Sequence, residues 1–137
     1  RSDWYPFTPQ LNSLTSVSNR KGMWRRDGDT MEVKCGIRYN GVGDNSDWTM
    51  EIPESKLFDG LKNASAAMAG NVQYVGSGEW SDSGTGYKQL MVVATSTTIL
   101  KIFESVDATP VETDEFGASD ELATTSRIPI KGWSAVS

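Results

Sequence analysis

The sequence predicts an all-β fold, an antiparallel β-sandwich of the jelly-roll kind. Apolar residues recur with a period of two, not of 3.6. Clusters of Gly, Asn, Asp and Ser interrupt the alternating runs at short intervals. The 137 residues suffice for one domain that buries roughly two-thirds of the surface of its unfolded chain.

Each run can be justified in order. Residues 29–39 alternate strictly: Met31, Val33, Cys35, Ile37 and Tyr39 fall on one face, and Thr30, Glu32, Lys34, Gly36 and Arg38 on the other. That is the pattern of a half-buried antiparallel strand. Residues 48–52 alternate likewise and stop at Pro53. Residues 71–74, 87–95 and 98–103 are rich in β-branched and aromatic side chains. Leu90 to Ala94 is apolar on both faces, so cover on both sides is expected. A last strand is read over 127–133. Turn signals fall at 19–22, 27–29, 40–47, 76–86 and 107–126. One short helix, weakened by Gly60, is the reading for 57–68. The total is about eight strands.

Two counts exclude much chemistry. There are no histidines and one cysteine, so the chain holds no Ser-His-Asp triad, Cys-His dyad, His or multi-Cys zinc site or internal disulfide. No apolar run approaches the ~20 residues of a membrane helix, and no membrane insertion is expected. The net charge is −5, which argues against a nucleic-acid partner. Residues 104–121 carry seven acids and no base. The basic cluster Arg20, Lys21, Arg25 and Arg26 reads as a solvated strand face or as subunit salt bridges.

Four segments carry a resemblance: Trp4-Tyr5-Pro6-Phe7-Thr8-Pro9, then Trp24 to Val33 (WRRDGDTMEV), then Glu51-Ile52-Pro53, and Ile128-Pro129-Ile130-Lys131-Gly132-Trp133-Ser134. Their order resembles the C-terminal tip domains of bacteriophage tail fibres and of the trimeric fibres of predatory bacteria such as Bdellovibrio. The resemblance implies a jelly roll like those of tumour-necrosis-factor and complement heads, assembled as a homotrimer. Residues 1–137 would then be a single fibre-tip domain, a fragment of a longer fibre protein that begins here at Arg1-Ser2-Asp3. Its place would be extracellular, on a virion tail fibre or a bacterial surface, and its partner a target-cell glycan or protein. A structural trimerisation or capping module and, third, a polysaccharide hydrolase are the competing readings.

Candidate binding residues follow from composition. Trp80 sits among Gly, Ser and Asp in residues 76–86, with Asp82 beside it. Trp48 follows the polar stretch that contains Asp44 and Asn45. A ring stacks on the C–H face of a sugar while short polar side chains bond its hydroxyls. Loop packing or a subunit interface would explain Trp80 as well. Phe116 is the one large apolar side chain of the acidic segment and is expected to aid target selection. Asp44, Asn45 and Asp47 carry oxygens suited to Ca²⁺, but turn chemistry accounts for them and the spacing is not that of an EF-hand. No metal, cofactor or catalytic residue is expected. Trp4, Trp24 and Trp133 are assigned to structure, and Cys35 to the core.

Overall fold

The computed structural model describes residues 2–11, 17–39, 48–63, 73–82, 86–104 and 120–134. These form eight strands: β1 (Tyr5–Phe7), β2 (Val17–Asp27), β3 (Thr30–Tyr39), β4 (Thr49–Glu51), β5 (Tyr74–Asp82), β6 (Gly86–Ala94), β7 (Ile99–Glu104) and β8 (Glu121–Pro129). The protein is all-β and antiparallel, as its periodicity predicts. One sheet holds every strand in the order β1-β2-β3-β8-β5-β6-β7-β4. Strands β5, β6 and β7 form a meander and β8 returns beside β5, which is Greek-key order.

The sheet curls until its ends meet. Leu11, just past β1, bridges Met50 of β4, and the Glu51 N–H donates to the Gln10 carbonyl at 3.1 Å. Inside lies the core. Strand β3 contributes Met31, Val33, Cys35, Ile37 and Tyr39, the face read from the sequence. Strands β6 and β7 add Leu90, Val92, Ala94, Leu100 and Ile102; β8 adds Leu122 and Ile128; Trp48, Met50, Ile52, Phe58, Val75, Trp80 and Ile130 complete it. The β2–β3 turn is tight, with Gly28 at φ +64° and the Arg26 Nε–H donating to the Gly28 carbonyl at 2.8 Å.

Several expectations are corrected. Residues 19–22 are not a turn but lie within β2. No α-helix occupies the described part of 57–68, which holds one 3₁₀ turn, Gly60–Lys62. Strand β8 starts at Glu121, well inside the stretch read as a turn. Its inward positions are Leu122, Thr124, Ser126 and Ile128, and the two hydroxyls disguised the alternation.

The glycine-rich stretch is the largest correction. Gly76 and Gly78 lie in β5, not in a loop. A Cβ built on Gly76 would stand 2.2 Å from the Thr125 carbonyl oxygen, and one on Gly78 would stand 2.4 Å from that of Ala123. The backbone of β8 fills the space a side chain would need, and glycine permits this approach at a sheet bend. A bulge at the start of β5 adds to the twist: Tyr74 faces Val93 and Gly76 faces Val92, which leaves Val75 over.

Candidate functional site

The structure removes both tryptophans from the ligand-binding set. Trp80 and Trp48 are each 1% exposed. Gly76, Gly78 and Trp80 share the inward face of β5, so the indole enters the core and its Nε1–H donates to Asp120 Oδ2 at 3.2 Å. Trp48 donates from Nε1 to the Tyr39 hydroxyl at 2.7 Å. Neither ring has a free face for a sugar. Asp82 closes β5 opposite Gly86, and its side chain is outside the described ones. Asp44, Asn45 and Phe116 lie outside the described residues.

Burial sets the chemistry of the inner groups. Asp120, one of the seven acids of residues 104–121, is 2% exposed; an acid there is tolerable because the Trp80 indole bonds it. Desolvation pushes the Cys35 thiol up to about 12. Burial also raises Tyr39, offset in part by the hydrogen bond from Trp48. Among the described residues no cluster of three or more His, Cys, Asp and Glu could hold a metal ion.

The N-terminal tryptophans take structural places. Trp24 packs partly buried against the core, with the Tyr5 ring at 5.0 Å and that of Trp133 at 6.5 Å. Trp4 lies under two cations, Arg25 at 4.3 Å and Lys34 at 4.7 Å. Glu32 is only 8% exposed although it faces outward. Arg25 covers it at 2.8 Å, Arg127 bonds its other oxygen, and Arg127 also reaches Asp27 at 3.3 Å.

The open surface is the outer face of the sheet. Register fixes two rows of outward side chains across five strands. One runs Asn19, Arg38, Glu121, Ser81, Tyr87, and the next runs Lys21, Gly36, Ala123, Glu79, Gln89. Strand spacing makes each row about 19 Å long, with about 7 Å between rows. Because Gly36 and Ala123 are small, the middle of the second row is low. A groove of about 440 Å³ lies over it, and a Cβ on Gly36 would meet nothing within 4 Å.

The groove's side chains are exposed and polar, with one aromatic. Tyr87 is 77% exposed. Arg38 and Glu121 pair loosely at 4.0 Å, and Gln89 donates to Glu79 at 3.5 Å. Tyr87 could have been found from sequence. In β6 the inward set is Leu90, Val92 and Ala94, so Tyr87, Gln89, Met91 and Val93 have the outward parity; Val93 is buried and Met91 partly covered, which leaves Tyr87 as the exposed ring of that face. The other groove residues come from four strands distant in sequence, and no motif joins them.

A second depression of about 480 Å³ lies between Pro6–Gln10 and Glu51–Lys56. Glu54 and Ser55 there have φ +59° and +55°, a backbone strain of roughly 1–2 kcal/mol per residue. It offers no exposed ring, since Phe7 lies over Gly22. Comparison with protein-family models, with curated proteins and with solved structures yields no match.

Proposed function

We propose that this chain is a receptor-binding domain that holds a target-cell surface glycan in the outer-face groove and performs no chemistry on it. The exposed Tyr87 ring, set at the end of a groove floored by Gly36 and Ala123, carries the reading. Apolar ring, flat small-residue floor and surrounding carboxylate, amide and guanidinium groups make up the composition that carbohydrate recognition needs. The span across five strands suits an oligosaccharide better than one sugar ring.

Hydrolysis is the less supported reading. Glu79 and Glu121 are diagonal neighbours on β5 and β8, a separation of about 7–8 Å, which suits an inverting glycosidase. Both are exposed, however, and a general acid has to be withdrawn from water. The fibre-tip placement, the jelly-roll identity and the trimer rest on the resemblance in the N-terminal, β2–β3 and C-terminal motifs. Apolar surface also supports an assembly: Leu61 is 97% exposed, with Leu57 at 41% and Tyr74 at 37%.

A glycan array tests the function. Wild-type protein is expected to bind a defined set of glycans. Tyr87→Ala and Gly36→Trp, the second filling the groove where the structure leaves room, should both abolish binding with unchanged thermal unfolding. Retained binding by both variants would refute the groove, and release of reducing sugar from a bound glycan would refute the non-enzymatic reading.

A further inference from the structure

The groove's charges are sorted along its length. Lys21 stands at the β2 end, and among the described residues no carboxylate pairs with it. The outward side chains diagonal to it on β3 are Lys34 and Arg38, both cations. Lys34 is turned over the Trp4 ring and Arg38 leans toward Glu121, which leaves Lys21 as the open charge. At the other end Glu79 and Glu121 flank Ser81 and the Tyr87 ring. Arg38 and Glu121 pair across the middle strands, so a protein of net charge −5 has the cation Lys21 at the β2 end of its groove and the acids Glu79 and Glu121 toward the β6 end.

From this polarity we infer that the groove takes a linear acidic glycan in one direction, its anionic sugar at Lys21 and its neutral rings toward Tyr87. The inference rests on the glycan-binding reading of the same groove. Lys21 supplies a compact ammonium with three donors for a carboxylate. Glu79 and Glu121 accept bonds from sugar hydroxyls, while their charge repels an anion from the Tyr87 end. The reverse orientation would set the anionic sugar against Glu79 and Glu121 and leave Lys21 facing a neutral ring, so direction follows from electrostatics. Neutral rings stack on Tyr87, where carboxylates would be repelled.

Two saccharides that differ in one group provide the test: a linear tetrasaccharide of three neutral rings ending in one glucuronic acid, and its carboxyl-reduced counterpart. Titration calorimetry of the full chain at low salt should show the acidic one binding at least about tenfold tighter, the size of one charge-assisted hydrogen bond. Added salt should shrink the difference. Lys21→Gln should erase the difference between the two saccharides, whereas Tyr87→Ala should abolish binding of both. Equal affinity for the two saccharides, or a preference that survives Lys21→Gln, overturns the acidic-ligand inference and leaves the groove as a glycan site. No binding of either also overturns it. The array variants Tyr87→Ala and Gly36→Trp then decide separately whether the groove reading falls too.

Discussion

Adding one methyl group to β5 should strongly destabilise the sheet where β5 meets β8, whereas the same methyl on β3 should do nothing harmful. A Cβ on Gly76 would lie 2.2 Å from the Thr125 carbonyl oxygen and one on Gly78 2.4 Å from that of Ala123. Carbon and oxygen do not approach within 3.0 Å in real side chains, so β8 would have to retreat by several tenths of an ångström at either site. It cannot retreat freely, because it is hydrogen-bonded to β3 on one side and β5 on the other. Overpacking of this kind costs about 1–3 kcal/mol, and each weakened ladder bond adds about 1 kcal/mol. Gly76→Ala and Gly78→Ala should each cost about 2–4 kcal/mol, a large share of the ~5–15 kcal/mol typical of a domain. Gly36→Ala is the control. Its Cβ meets nothing within 4 Å and its φ is not positive, so the smaller unfolded-state entropy should stabilise by about 0.4–1 kcal/mol. Urea unfolding followed by tryptophan fluorescence gives the three values directly. Gly76→Ala and Gly78→Ala variants as stable as wild type would refute the close approach of β8 to β5.

Four further outcomes are expected. Trp80→Ala should cost about 3–5 kcal/mol in denaturant melts, because the ring is core and not platform. Stability should fall as pH rises above about 9. The unfolded Cys35 thiol ionises from its ordinary value of 9.0 while the folded one waits until about 12, so the unfolded state binds fewer protons there and is favoured. Cys35→Ala should flatten that slope in urea midpoints taken at pH 8, 9 and 10, after allowance for its own packing loss. Glu32→Gln should lower stability by about 1.5–3 kcal/mol by removing the anion shared by Arg25 and Arg127, an effect read as a shift in thermal midpoint. Leu61→Asp should leave the fold intact and shift sedimentation from trimer to monomer; a wild-type protein already monomeric at micromolar concentration would refute the proposed trimer.

The strands with clean alternation were legible in the sequence. Strand β3 shows every one of its inward residues, because a face apolar throughout has one parity only. Strands β6 and β7 were legible from β-branched content. What hid β5 was the dual meaning of glycine: in sequence it marks a turn, whereas Gly76 and Gly78 mark a place where another strand's backbone occupies the side-chain volume. Strand β8 was masked by Thr124 and Ser126, hydroxyl residues on a core face. Trp48 and Trp80 misled for a related reason, since polar neighbours on both sides suggest exposure while strand parity alone decides it. Asp120 misled in the opposite sense: its neighbours are acids, but its partner is an indole forty positions away. The groove is a product of register between β2, β3, β8, β5 and β6, and register between distant strands is not written in any local pattern.

The pairing of β3 with β8 sets a timetable for the chain. It joins Thr30 to Pro129 and Arg38 to Glu121, so most of the sequence lies between partners in the middle of the sheet. Closing so long a loop before any contact rewards it is slow. The β5–β6–β7 meander has near neighbours only and is expected to form first, with its β5 edge unpaired until β8 arrives. On the ribosome, that edge and the buried face of β3 stay uncovered until residues 121–130 have left the exit tunnel. Gly76 and Gly78 lie on that waiting edge, where a bare backbone is also the easiest template for a foreign strand. Expression yield in a cell is therefore expected to depend on how quickly synthesis moves from β7 through β8, and on whether a chaperone holds the meander during that interval.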